Sequence, residues 1–391
     1  MKLSEIDERK LENDLYSCAQ CGYCQDACAI YHEVPWESAS PRGKLYWIKK
    51  ILTKGILRQD IEGDKDFVNR LYQCTLCGRC HEVCQTSLDT VAIWYAARVE
   101  AFKTGNRPDN IDFLTKQLEE VKNPYGMDED TRLDWADFTD MDVVPLEDEA
   151  EIGYFVGCTT SWKSANHDGA YATSMILKEI GDDWTFLGED EWCCGGPSLM
   201  SGDEEKTKEF IKHNLKEIEK RNIKILLTGC PSCYRMWKEE IPKLINKELS
   251  FDVRHITEHI YHRVKEGKLT LPKSNDKLTY HDPCELSRLM GVVEEPRVLL
   301  SQLSSEFVEM PEHGKDVRCC GGGGLLQATN NDLRLLIGKK RVAQAKSVGA
   351  EILISACPSC KGTFLDVVRE TGDDLEVLDL MEYIGRRLDL I

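Results

Sequence analysis

The chain has 391 residues, 41% hydrophobic and 30% charged, with a net charge of −18 and 18 cysteines. That length gives room for two or three domains with cores of their own, and the composition is that of a globular protein. The acidity excludes nucleic acid as a partner, because phosphate binding demands basic patches.

The N-terminal stretch MKLSEIDERKLENDLYS is charged throughout and lacks the apolar core of a secretory signal. Apolar segments such as Val91–Val99 and Ile223–Leu227 fall far short of the roughly 18 residues of a membrane helix. The expectation is a cytoplasmic protein, reaching the inner face of a membrane through a partner protein at most. In a reducing compartment, tightly clustered cysteines are metal ligands and not a disulfide scaffold.

All 18 cysteines fall into four blocks, with none left over. The first is Cys18, Cys21, Cys24 and Cys28, spaced C-x2-C-x2-C-x3-C. Ser40-Pro41-Arg42-Gly43 then reads as a helix start with proline in the first turn, followed by the amphipathic run Lys44–Ile56. The second block, Cys74, Cys77, Cys80 and Cys84, repeats the first spacing. A helix is expected over Asp89–Lys103, where Val91, Trp94, Tyr95, Val99 and Phe102 recur at helical spacing. Structural zinc is the alternative for these blocks, but zinc is usually held by two separated Cys pairs. Gly22 and Gly78 fit close backbone approach to sulfide or, equally, simple turns.

Residues 123–150 carry Pro124, Gly126 and Pro145, and acidic residues greatly outnumber the one arginine. The stretch is expected to be an acidic linker. It divides a first domain, residues 1–122, from two further domains over 151–270 and 271–391.

Those two domains are an internal repeat. Cys158, Cys193 and Cys194 recur 126 positions later as Cys284, Cys319 and Cys320, and Cys230 and Cys233 recur 127 positions later as Cys357 and Cys360. Five residues do not keep so constant an offset by chance. A short apolar run (Ile152–Val156, Leu278–Tyr280) precedes each first cysteine, an amphipathic helix (Glu204–Arg221, Asp332–Val348) follows each Cys-Cys-Gly, and a strand-like run (Ile223–Leu227, Ile352–Ile354) leads to each Cys-Pro-Ser-Cys. The pattern predicts α/β units with parallel sheets, cysteines at the strand ends, where sites form in open sheets. The fold class is thus α+β and α/β: a small, mostly helical domain and two duplicated α/β domains. Five thiols overfill a zinc site and exceed a cubane by one. They point to an unusual cluster, or to a cubane with one thiol kept for chemistry. Gly195-Gly196 and Gly321–Gly324 would let the backbone approach inorganic sulfide.

The short blocks resemble bacterial ferredoxins, in which the fourth cysteine reaches the neighbouring cluster. That resemblance implies one [4Fe-4S] cubane on Cys18, Cys21, Cys24 and Cys84 and a second on Cys74, Cys77, Cys80 and Cys28. Ala29 and Gln85 stand where proline commonly follows the fourth cysteine. From Cys18 to Cys360 the layout resembles the D-type subunit of heterodisulfide reductase, a two-cubane domain followed by two Cys-Cys-Gly domains. The resemblance implies a noncubane [4Fe-4S] cluster on the five cysteines of each repeat, making Cys158, Cys193, Cys194, Cys230, Cys233, Cys284, Cys319, Cys320, Cys357 and Cys360 the catalytic set. It further implies anaerobic methanogenesis as the setting. A disulfide of the kind that joins coenzyme M to coenzyme B would be cleaved between the two noncubane clusters, with electrons entering through the cubanes.

Other residues are candidates by position. His281, three before Cys284, could donate a proton or a hydrogen bond to cluster sulfur; His32, His81 and His167 read as surface residues. Lys163, Arg235, Arg288 and Lys361 lie within five positions of a cysteine and could bind acidic substrate groups. Trp162, Trp192 and Trp237 could shield clusters from water. No G-x-G-x-x-G follows a strand, so neither flavin nor NAD is expected on this chain. A partner protein, whether a flavoprotein, a ferredoxin or a membrane cytochrome b, would exchange electrons with it. The rival reading is a relay subunit without its own substrate, as in flavin-dependent glycerol-3-phosphate or hydroxy-acid dehydrogenases, whose N-terminal segment is similar to Ser38–Lys44. The ten intact repeat cysteines favour the reductase.

Overall fold

The computed structural model describes residues 13–53, 65–137 and 149–391. Two four-stranded, all-parallel sheets form its frame, with strand orders β2-β1-β3-β4 and β6-β5-β7-β8. The first comprises β1 (Ile152–Phe155), β2 (Trp184–Phe186), β3 (Ile225–Thr228) and β4 (Asp252–His255). The second comprises β5 (Ser274–His281), β6 (Ser304–Phe307), β7 (Ile352–Ser355) and β8 (Glu376–Asp379). Equivalent residues hold equivalent registers: Ile152 pairs with Ile225 in the first sheet and Leu278 with Ile352 in the second. β1, β3, β7 and the second half of β5 are mostly apolar and buried on both faces, as a parallel sheet under helices requires. The outer strands carry no continuous apolar run, Asp252–His255 and Ser304–Phe307 being largely polar, so hydrophobic pattern does not announce them.

The long repeat helices run over Glu204–Lys220 and Asn331–Ser347. Each is started by a side-chain cap, Asp203 accepting from Lys206 N and Asn330 from Leu333 N. The repeats exchange contacts reciprocally. Helix Leu380–Arg387 of the second lies on His167–Ile180 of the first, so tightly that a Cβ on Gly385 would stand 2.8 Å from Ala172 Cβ. Helix Ile256–Lys265 of the first packs on Glu294–Leu303 of the second. The result is a pseudo-two-fold pair whose cysteine loops face each other.

The N-terminal part is helical. Helix Pro41–Thr53 starts where expected, Ser40 Oγ accepting from Gly43 N at 2.9 Å; the expected continuation to Ile56 lies outside the described residues. Helix Thr90–Lys103 is capped by Asp89, which accepts from Ala92 N. It is buried nearly all round, Arg98 included. The Arg98 guanidinium donates to the carbonyls of Leu71 and Cys74 within this part, of Met200 in the first repeat and of Gly324 in the second. One buried cation therefore ties all three parts together through charge-assisted bonds to buried carbonyls.

Of the stretch expected as a linker, residues 138–148 lie outside the described residues; the rest is packed. Its arginine, Arg132, is buried between Glu129 and Glu191, with Nε and Nη1 each 2.7 Å from a carboxylate. Trp135 sits edge-on to Phe186 at 6.0 Å between centroids. Among the described residues, no helix is long and apolar enough to cross a membrane.

Candidate functional site

The two short cysteine blocks interleave. Cys18, Cys21, Cys24 and Cys84 line one small cavity, Cys28, Cys74 and Cys77 another, and Cys80 lines both. Gly22 and Gly78, with φ of 92° and 73°, open the short helices that bend each block, a conformation that favours glycine. Burial, reinforced by neighbouring thiols, pushes Cys24 up to about 11, and burial pushes Cys28 up to about 12. Eight thiols around two small adjoining voids suit a pair of iron–sulfur cubanes by donor chemistry and by number.

In the repeats, strand ends deliver the cysteines. Cys158 follows β1, and Cys230 and Cys233 follow β3. Cys284 follows β5, and Cys357 and Cys360 follow β7. All ten are buried and none is in a disulfide. Cys233 Sγ stands 3.4 Å from Cys194 Sγ, and Cys320 Sγ 3.2 Å from Cys360 Sγ. The second member of each Cys-Cys pair is held well below the usual thiol range, Cys194 by hydrogen bonds from Cys193 and Cys233, Cys320 by those from Cys319 and Cys360. Backbone N–H groups add to this, from Gly196 and from Gly322, whose N lies 3.3 Å from Cys320 Sγ. In both repeats the second thiol of the pair is thus the one whose surroundings favour the thiolate, the form that ligates metal. The donor set fits an iron–sulfur cluster in each.

Nine of the ten repeat cysteines line a single cavity of about 320 Å³ between the repeats, Cys319 being the exception. Cys319 instead accepts hydrogen bonds from the thiols of Cys284 and Cys77, the latter from the second short block. The tetraglycine seals the same junction. A Cβ on Gly323 would lie 2.7 Å from Thr75 O, and one on Gly324 2.2 Å from Cys74 O. Gly321–Gly324 therefore serve the docking of the N-terminal part as well as the thiol cage.

The expected basic residues have diverse fates. Arg235 is buried against Tyr95, Glu240 and Glu285. Lys361 is buried on Glu382 at 2.6 Å. Arg288 donates to the carbonyls of Cys77, Lys315 and Val317. Lys163 alone of the four lines the cavity, its Nζ 4.8 Å over the Tyr125 ring.

His281 ends β5 behind the thiols and is not on the cavity wall. Its Nδ1 accepts from Arg341 Nε at 3.0 Å, while one of its ring nitrogens and the Cys320 and Cys360 sulfurs lie within 4.8 Å of one another. Burial, then Arg341, holds it well below the usual histidine range, so it faces the sulfurs as a neutral ring. His32, His81 and His167 each bond a backbone carbonyl. Trp237 is a core residue between Phe155 and Phe251, Trp192 stacks on His213, and Trp162 lies beside Tyr125.

Sequence reasoning missed Tyr125, Thr159, Ser232 and Glu285, all on the cavity wall. Tyr125 Oη and Thr159 Oγ1 are 2.9 Å apart, and burial raises the phenol, keeping it protonated. Ser232 Oγ donates to Glu285 across the repeat interface. Three of these four adjoin or separate ligand cysteines, a signal that spacing offered. Tyr125, inside the supposed linker, gave none.

Comparisons with known proteins agree with this architecture. Residues 14–88 match the model of a 4Fe-4S dicluster domain, and residues 152–238 and 278–365 each match that of a cysteine-rich domain. The chain is 35% identical to the D-type subunit of the dihydromethanophenazine:CoB–CoM heterodisulfide reductase of Methanosarcina acetivorans, over 100% of this chain and 98% of that one. It is 27% identical to the B-type subunit of the CoM/CoB fumarate reductase of Methanothermobacter marburgensis, over 95% of this chain and 72% of the relative. It is 24% identical to the EtfAB:quinone oxidoreductase of Syntrophomonas wolfei, over 96% of this chain and 58% of the relative. Two four-thiol sites, two five-thiol cages and full-length identity to the Methanosarcina relative together place the chain in the family of heterodisulfide reductase D-type subunits, which are iron–sulfur oxidoreductases.

Proposed function

We propose that the chain is the disulfide-cleaving component of a heterodisulfide reductase-type complex, acting on a small disulfide in the cavity between the repeats: RSSR′ + 2 e⁻ + 2 H⁺ → RSH + R′SH. In this reading Cys18, Cys21, Cys24 and Cys84 hold one cubane, Cys28, Cys74, Cys77 and Cys80 the other, and the five cysteines of each repeat hold a noncubane cluster. When bound, these clusters supply single electrons beside the thiolates that ligate them, and a partner protein supplies the electrons to the N-terminal part.

The observation that carries the reading is the cavity itself. It runs past the thiols to a wall of Leu114, Tyr125, Lys163, Met200 and Gln327, which offers no thiol. The chain's own residues perform three tasks there. Leu114, Pro197 and Met200 exclude water from the sulfur atoms. Tyr125 Oη, protonated and bonded to Thr159 Oγ1, offers a hydrogen bond to a thiolate leaving on the first-repeat side. The Ser232–Glu285 bond joins the Cys-Pro-Ser-Cys turn of one repeat to the residue after Cys284 of the other and fixes the spacing between the two cages.

Anaerobic EPR of the oxidised protein, with and without small thiols, tests the reading. A paramagnetic signal that requires thiol and broadens in 57Fe-labelled protein is the expected result. If every cluster reduces and reoxidises while thiols change nothing, the chain is a relay and the reading fails.

A further inference from the structure

The two repeats are built alike around their thiols, and one difference lies directly behind the sulfur atoms. By the 126-residue offset Phe155 is the counterpart of His281. Strand register agrees, Phe155 pairing with Thr228 in the first sheet and His281 with Ser355 in the second. Each ring meets an aromatic partner edge-on, Phe155 meeting Trp237 at 5.6 Å between centroids and His281 meeting Phe364 at 4.9 Å. The packing pair is thus kept while one ring changes from hydrocarbon to imidazole.

A second exchange accompanies the first. Counted from the helix caps Asp203 and Asn330, Asn214 corresponds to Arg341. Asn214 holds the backbone of Trp192 and Cys193, whereas Arg341 Nε donates to His281 Nδ1 at 3.0 Å. A guanidinium can only donate, so Nδ1 is the acceptor nitrogen and the ring proton sits on Nε2. Nε2 is buried and has no hydrogen-bond partner among the described residues. One ring nitrogen and the Sγ atoms of Cys320 and Cys360 lie within 4.8 Å of one another. A buried donor left unpaired is costly, and sulfur is the acceptor at hand.

We infer that His281 Nε2–H donates a hydrogen bond to sulfur of the cluster held by the second repeat, and that the first-repeat cluster, backed by Phe155, lacks this bond. A hydrogen bond to cluster sulfur draws negative charge away from the iron and raises the reduction potential. His281 therefore makes the two repeat clusters unequal, the second taking up an electron more readily. A cluster in each repeat suffices for this asymmetry, whatever molecule enters the cavity, so its failure would leave the disulfide reading untouched.

The test is an anaerobic redox titration of the full, cluster-containing chain, followed by EPR, on wild type, His281→Phe and His281→Gln. One charge-assisted hydrogen bond is worth a factor of about 10, which for a one-electron couple is about 59 mV. In His281→Phe one repeat cluster should become about 10-fold harder to reduce, its potential falling by about 59 mV, while the other three clusters keep theirs. His281→Gln should restore most of the shift, because a carboxamide can accept from Arg341 and still donate to sulfur. Phenylalanine is the residue that the first repeat carries at this position, and iron content equal to wild type shows that both repeats remain loaded. In wild type labelled with 15N-histidine, pulsed EPR of the repeat clusters should show a weak histidine coupling and an exchangeable proton that is lost in D2O. An unchanged potential in His281→Phe, or a shift that His281→Gln does not reverse, overturns the assignment. Absence of the histidine coupling in wild type overturns it even where no variant folds, and a coupling as strong as that of a directly ligated nitrogen does the same.

Discussion

The Cys77 thiol donates a hydrogen bond to the Cys319 thiol, so a ligand-type cysteine of the N-terminal part touches the sulfur cage of the second repeat directly. The first repeat has no such contact among the described residues. Arg288 clamps the junction, donating to Cys77 O at 2.7 Å and to Lys315 O at 2.7 Å, with Val317 O as its third acceptor. Replacing Arg288 by Met leaves these buried carbonyls unpaired, which should lower unfolding free energy by about 2–4 kcal/mol in urea titrations. Reduction of the repeat clusters should slow relative to that of the cubanes in rapid-freeze EPR.

Glycine at 324 is required twice over, by its φ of 63° and by the 2.2 Å approach of a built Cβ to Cys74 O. Gly324→Ala should therefore destabilise the chain by about 3 kcal/mol or more, summing left-handed strain and overpacking. Gly349 has φ 73° but nothing within 4 Å of its Cβ position, so Gly349→Ala should lose only about 1 kcal/mol of left-handed strain. Equal losses in the two urea midpoints would remove the docking role of the tetraglycine.

Tyr125→Phe deletes the hydroxyl that bonds Thr159 and faces the cavity. Disulfide turnover should fall about 10- to 100-fold if the phenol's hydrogen bond stabilises the leaving thiolate, while iron content and thiol affinity stay close to wild type. Loss of affinity at unchanged turnover would make Tyr125 a wall residue.

His255 supplies a pH test at a side chain that does not line the cavity. It caps helix Ile256–Lys265, its ring accepting from Thr257 N, and burial lowers its pKa to about 3. The unfolded chain takes up this proton below an ordinary value of about 6.5, whereas the folded chain stays neutral down to about 3. Its contribution to stability is therefore complete above the unfolded pKa and is lost as pH falls towards the folded one, at about 1.4 kcal/mol per unit. His255→Asn keeps a capping acceptor and should flatten the stability profile between about pH 6.5 and 5.5 by that slope. A profile parallel to wild type would show that His255 is charged when folded.

Much of the architecture is local enough to read from residues in order. The β1, β3, β5 and β7 runs and the helices after Cys-Cys-Gly match their expected spans within a few residues, because burial on both faces and helical periodicity leave marks in a short window. The outer strands left none. They owe their pairing to a neighbour that supplies hydrogen bonds along one edge, which permits sequences such as Asp252–His255. The supposed linker misled for a related reason. Its acidic composition is real, yet Arg132 and Trp135 are held by Glu191 and Phe186, some fifty or more positions away.

The chemistry is written in residue order: eighteen thiols, their grouping and the duplication are all there, since ligand number and spacing are covalent properties of the chain. Which charged and polar groups meet the substrate is settled only when the chain is folded. Lys163, Arg235, Arg288 and Lys361 look alike beside their cysteines, yet three neutralise buried carbonyls or carboxylates and one faces the cavity. Desolvation forces any cation enclosed by distant chain segments to find a partner there, and which cations are enclosed depends on how the three parts dock.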